Sequence, residues 1–187
     1  MSETEKFCKG KLLLDGGGLG GSFFHRSVVL ICEHNIEGAF GLVLNRSAGS
    51  KIGEVIVADL PDTLKESPLF LGGPVQPNAL SFLHADNFIP DASVFPNLDL
   101  GHSLDDLMEI GESFSPEKKV KMFAGYAGWS PGQLENEMKR RAWLTFPASL
   151  ELVFDTPSDQ LWQKILKSKG GWRNKLLSQM PDDLSLN

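Results

Sequence analysis

Phe123-Ala-Gly-Tyr-Ala-Gly-Trp-Ser-Pro-Gly-Gln-Leu-Glu-Asn-Glu137 reads as the end of a strand, a glycine-rich turn and the start of a helix. Gly128-Trp129-Ser130-Pro131-Gly132 within it fits the G-x-S-x-G pattern of a hydrolase nucleophile elbow, in the strand-turn-helix context that an elbow requires. The chemistry argues against that reading. An elbow serine uses the N–H of the following residue in its oxyanion hole, and Pro131 has none. The acid and the histidine of such hydrolases follow the serine in the chain, whereas His25, His34, His84 and His102 all precede Ser130. A structural reading accounts for the same residues: Ser130 as helix N-cap, Pro131 at the first helical position and Gln133 as the reciprocal half of a capping box.

Outward from this stretch, apolar runs mark strands at Lys11–Asp15, Ser22–Ile31 continuing to His34, Ala39–Leu44, Leu69–Leu71 and Ala79–His84. Asn35-Ile-Glu-Gly38 should turn the second run into an antiparallel hairpin with the third. Lys118–Tyr126 alternates charged and apolar residues, which predicts a strand with one wet face. Trp143–Phe146 and Ser149–Phe154 read as further strands, and Ser50–Leu60 as a short helix. Ser103 should cap a helix closed by Gly111, and Thr156 should cap another whose buried stripe is Leu161, Trp162, Ile165 and Leu166. Strands and helices alternate without a β-α-β rhythm, so an α+β fold is expected: one compact domain over 1–187, with flexible tails at 1–9 and 176–187.

Composition narrows the function classes. A hydrophobic fraction of 41% and a charged fraction of 22% describe an ordinary globular chain. No apolar run approaches a membrane span, and the acidic N-terminus lacks a secretory pattern, so a cytoplasmic location is expected. The net charge of −6 disfavours a nucleic-acid partner, whose phosphates are bound by displacing counterions with lysine and arginine. Lys139, Arg140 and Arg141 end a helix, where they complement its dipole and need no DNA. Lys164, Lys167, Lys169, Arg173 and Lys175 around Trp172 read as the solvated face of a terminal helix. Gly16–Gly21 satisfies G-x-G-x-x-G but precedes a strand, so it is no dinucleotide fingerprint. Asp105-Asp106 and Asp182-Asp183 are adjacent and cannot face one another, and no H-x-x-x-H or C-x-x-C occurs, so neither a metal nor a cofactor is expected. Cys8 and Cys32 are expected as reduced thiols. In an extended strand Cys32 and His34 share a face, which would allow the imidazole to activate the Cys32 thiol for redox chemistry.

Three blocks carry a family resemblance: Phe24 and Arg26-Ser-Val-Val29 through His34, Gly38, Ala39, Gly41 and Asn45; Gly72-Gly-Pro-Val75; and Gly125-Tyr-Ala-Gly-Trp129 with Gln133, Glu135, Glu137 and Trp143. On these the chain resembles the YqgE/AlgH family of bacterial proteins, from about Gly10 to Trp162. The glycine cluster Gly16–Gly21 departs from the pattern in the first loop. The resemblance implies a compact α+β domain of coiled, branching, mostly antiparallel sheets with about four helices. It also implies a family of unsettled molecular function, some of whose members are labelled transcriptional regulators. A non-enzymatic binding or regulatory module with a protein or small-molecule partner is therefore the expectation. The alternative is a small-molecule or anion-binding enzyme, should the blocks converge on one site of Arg26, Asn45, Gly72, Gly73, Tyr126, Trp129, Gln133 and Glu137. There the glycines would let backbone approach a ligand and Arg26 would pair with its anionic group. No motif encodes the oligomeric state.

Overall fold

The computed structural model describes residues 7–86, 89–112 and 118–180. Residues 1–6 and 181–187 of the expected tails, and the Asp182-Asp183 pair, lie outside the described residues. Among the described residues nine strands form one branched sheet: β1 (Lys11–Asp15), β2 (Val28–Asn35), β3 (Gly38–Val43), β4 (Ser47–Lys51), β5 (Pro68–Leu71), β6 (Val75–Ala85), β7 (Leu98–Gly101), β8 (Lys119–Trp129) and β9 (Trp143–Pro147). Four longer helices accompany them: α3 (Leu104–Glu112), α4 (Gln133–Lys139), α5 (Ser158–Lys169) and α6 (Trp172–Gln179). One-turn helices α1 (Ile52–Val55) and α2 (Asp62–Lys65) follow β4. No helix among the described residues is long and apolar enough to cross a membrane.

The branch point is β8, which changes partners along its length. Lys119–Tyr126 pairs antiparallel with β6, Met122–Ala124 runs parallel to β5, and Ala127–Trp129 pairs antiparallel with β3. Gly125 sits at the change with φ +69°, a conformation that costs glycine little because it has no Cβ. From β3 the sheet continues through β2 and β1 to β9, all antiparallel.

The runs Leu12–Leu14 and Val28–Cys32 are buried at every position because both faces of β1 and β2 are covered. Leu12, Leu14, Val28, Leu30 and Cys32 meet Leu161, Trp162, Ile165 and Leu166 of α5, the stripe that the sequence shows. Each such aliphatic side chain, fully buried, contributes roughly 1.5–3 kcal/mol. Leu13, Val29 and Ile31 face the other way, toward Trp129, Leu134 and Trp143. A third cluster of Ile52, Leu60, Leu64, Leu69, Phe82, Leu107 and Met122 packs on the other face of β8.

Several local expectations are corrected. The second run becomes strand only at Val28, because Ser22–Arg26 is folded into turns by the Asp15 carboxylate, which accepts the N–H groups of Gly17, Leu19 and Arg26. Helix α4 begins at Gln133 with Gly132 as its cap residue, so Ser130 and Pro131 belong to the preceding turn. Half of the capping box survives, the Ser130 N–H donating to Gln133 Oε1 at 3.0 Å. Ser149–Phe154 is not a strand: Glu151–Asp155 is a π-helical turn closed by Thr156 N–H donating to Glu151 O, and only Val153 of it is buried. Thr156 Oγ1 donates to that same carbonyl, so α5 starts two residues later, with Pro157 at its cap. The helix expected over Ser50–Leu60 shrinks to α1, and Gly111 lies inside α3.

The wet face predicted for β8 is also corrected. Val120, Met122 and Ala124 pack into the third cluster, while Lys121 on the opposite face is covered by Phe70 and the π-helical turn and is only 9% exposed.

Candidate functional site

The Asp15 side chain is fully buried at the end of β1, and its hydrogen bonds bring the Ser22–Arg26 turn over the start of β2. Arg26 takes φ +53°, which a non-glycine residue adopts only when its surroundings hold it. Asn45 does part of the holding: Nδ2 donates to Arg26 O at 2.9 Å and Oδ1 accepts the Val28 N–H at 2.8 Å. The Arg26 guanidinium lies over the Trp162 ring, 5.1 Å from its centroid, and donates to Met180 O. Trp162 in turn donates its indole N–H to Asp15 O at 3.0 Å, tying α5 to the same corner.

The result is a cleft of about 400 Å³ between this turn and α5, walled by His25, Arg26, Asn45, Arg46, Asp159 and Trp162. Arg46 donates to His25 O at 2.8 Å and stacks over Phe23. Its Nε is buried without a hydrogen-bond partner, as is His25 Nδ1, which stands 3.7 Å from Asp15 Oδ2. An anion entering here would meet guanidinium groups and an imidazole at the edge of the core.

Trp129, Gln133 and Glu137 fall elsewhere. Glu137 Oε2 accepts both indole N–H groups, from Trp129 at 2.9 Å and Trp143 at 2.8 Å, and Oε1 accepts from Gln133 Nε2 at 3.0 Å. This carboxylate is occupied in fixing α4 and β9 to β8. Ser130 is exposed at the rim of that turn.

Gly72, Gly73 and Tyr126 make a third locality, where the chain between β5 and β6 crosses β8. Gly72 N–H donates to Ala124 O and its carbonyl accepts Val43 N–H, and a Cβ on Gly73 would fall inside the Tyr126 backbone. The Tyr126 ring packs 4.9 Å from that of Phe40 in a hollow of about 280 Å³. The sequence candidates thus stand at three places: Arg26 and Asn45 share a cleft, and the other six do not enter it. Sequence reading missed His25, Arg46 and Asp159; Arg46, adjacent to Asn45 in the first block, was the legible signal.

The proposed pairing of Cys32 with His34 is corrected by a β-bulge. The β2–β3 register shifts between Ile31 and Glu33, which turns His34 to the face opposite Cys32. His34 Nδ1 accepts the Cys8 N–H at 2.9 Å, and Nε2 points at Glu135 Oε1, 3.6 Å away. Burial pushes the Cys32 thiol pKa far up, the reverse of activation. Both cysteines are free thiols. Among the described residues no three His, Cys, Asp or Glu side chains stand together as metal ligands.

A family model described as AlgH-like matches residues 12–174. A UPF0301 protein of Chlamydia felis is 38% identical over 181 residues, covering 96% of this chain and 95% of its own. One of Chlorobium phaeobacteroides is 35% identical over 190 residues, with both chains covered in full. The solution structure of the AlgH protein from Pseudomonas aeruginosa superposes with TM-score 0.74 at 31% identity, covering 97% of each chain. A crystal structure of a Corynebacterium diphtheriae protein does so with TM-score 0.76 at 25% identity over 92% of each. With most of its length matched by that model and by these relatives, the chain belongs to the AlgH-like family.

Proposed function

We propose that this protein is a non-enzymatic binding module of the cytoplasm, and that its ligand is a small anion or an anionic group on a partner, held in the cleft between the Ser22–Arg26 turn and α5. The observation that supports this reading is the side chain of Arg46: it lines the cleft beside Arg26 and His25, its Nε is buried without a partner, and it makes no ion pair among the described residues. An anionic ligand in the cleft would supply the ion pair that this guanidinium lacks among the described residues. Asp15 is engaged structurally, its two oxygens accepting three backbone N–H groups.

Any regulatory role acts through this ligand or a protein partner, without direct contact to duplex DNA. Lys139, Arg140 and Arg141 close a helix of only seven residues on a chain of net charge −6. The test is a thermal-shift series with phosphate, sugar phosphates, nucleotides and dicarboxylates on the wild type and on Arg46→Ala. At least one anion should raise the melting temperature of the wild type, and R46A should lose that rise. Equal shifts in both proteins would overturn the site. Retardation of the protein by duplex DNA at low salt would overturn the exclusion of DNA.

A further inference from the structure

Lys121 has no part in the cleft at Arg46, yet its environment is unusual for a lysine. It occupies a core row of β8, opposite the fully buried Leu83 of β6 and two residues before the fully buried Phe123. Its Nζ donates to Val153 O at 3.1 Å and lies 4.1 Å from the centroid of the Phe70 ring. No carboxylate pairs with it among the described residues. Burial by itself lowers its pKa from 10.5 to about 8. Two ion pairs stand at the π-helical turn: Lys119 Nζ is held by both oxygens of Asp155, at 2.7 and 2.6 Å, and Lys164 by Glu151 at 2.8 Å.

Lys121 also opens on a space. A cleft of about 350 Å³, large enough for a small molecule, is bounded by β5, β8, the π-helical turn and the start of α5, with Phe70, Val120, Phe154 and Pro157 among its walls. A neutral amine has two N–H groups, which the Val153 carbonyl and the Phe70 face can serve, leaving the lone pair. This is the state in which a lysine is a nucleophile toward carbonyl carbon.

We propose that Lys121 is a reactive amine that captures small uncharged aldehydes reversibly, as an imine, in the cleft between β5, β8 and the Glu151–Asp155 turn. The Nζ lone pair forms the N–C bond to the carbonyl carbon and the C–O π pair moves to oxygen. The carbinolamine then loses water, made of that oxygen and the two amine hydrogens, to leave C=N. No oxidant or cofactor enters the balance. The aldehyde is uncharged because the Asp155 carboxylate lines the cleft and would repel a ligand carboxylate, while Phe70, Val120, Phe154 and Pro157 offer an apolar surface to a short alkyl chain.

The experiment is competitive reductive trapping of the full chain with propanal and cyanoborohydride at pH 7.5, with the propylated lysines located by peptide mapping. The exposed Lys139, Lys167 and Lys175 serve as controls within the same molecule. A pKa of about 8 gives Lys121 a neutral fraction about two orders of magnitude above that of an ordinary lysine. Allowing for its confined approach, labelling at least about tenfold faster than the controls is expected, with the preference fading toward pH 10 as exposed amines lose their protons. Glyoxylate, which carries a carboxylate, should label Lys121 more slowly than propanal does. Labelling of Lys121 no faster than the controls, or only after urea unfolds the chain, would overturn the proposal. Faster labelling by glyoxylate would overturn the uncharged class. Lys121→Met, checked for its melting transition, should lose the fast product; persistence of that product would assign it to another residue and refute the site.

Discussion

Replacing Lys121 by methionine should stabilise the protein, and by an amount that depends on pH. In the unfolded chain this lysine titrates near 10.5, whereas burial brings it to about 8 in the fold. Below pH 8 both states hold the proton, and the native state bears the whole cost of a buried ammonium. Between 8 and 10.5 only the unfolded state holds it, so wild-type stability rises with pH and the cost disappears. A difference of that size corresponds to roughly 3 kcal/mol at neutral pH and roughly 1 kcal/mol by pH 9.5. Methionine nearly matches the length of the side chain and keeps the contact with Phe70, while giving up the hydrogen bond to Val153 O, which is worth about 1 kcal/mol. That loss does not depend on pH, so the diagnostic quantity is the change in the gap between variant and wild type. Urea unfolding of both proteins at pH 7 and 9.5 should show the gap narrowing by roughly 2 kcal/mol. A gap that stays constant across this range would refute the reasoning, because it would mean that Lys121 titrates like a solvated lysine.

Four further substitutions test the fold and the frame of the candidate cleft. Glu137→Ala strands the indole N–H groups of Trp129 and Trp143 and should cost about 1–3 kcal/mol for each, read by urea unfolding followed through tryptophan fluorescence. Asn45→Ala removes both bonds that hold the Arg26 turn, so a loss of about 1–3 kcal/mol should be accompanied by weakened anion shifts in the thermal assay. Leu166→Ala opens a cavity beneath α5 and should cost about 2–5 kcal/mol by the same unfolding measurement. Ser130→Ala, at an exposed turn position, should stay within about 0.5 kcal/mol of wild type. A larger loss would mean that the hydroxyl is a cap after all.

Local pattern carried the secondary structure wherever one element's own periodicity was enough. Leu12–Leu14 and Val28–Cys32 are uninterrupted apolar runs because a strand covered on both faces has no wet side to record. Leu161, Trp162, Ile165 and Leu166 recur at helical spacing because α5 buries one stripe. Pattern misled where contacts from elsewhere in the chain outweighed it. Leu150, Leu152 and Phe154 alternate as a strand would, yet Glu151–Asp155 coils so that Val153 is the residue it buries and its carbonyl can receive Lys121. Cys32 and His34 are two residues apart, and a single inserted bulge residue sent them to opposite faces.

The amino-acid order alone determined the α+β class, most strands, the α5 stripe and the family, since each depends on neighbouring residues. Only the tertiary structure decided which polar residues share a site. Asp15 and Trp162 are 147 residues apart in the chain and hydrogen-bonded in space, and the cleft beside Arg46 exists because that contact closes. The burial of Lys121 is of the same kind: its alternation with Val120 and Met122 signals a solvated face, and it is the distant π-helical turn, packed across β8, that excludes the water.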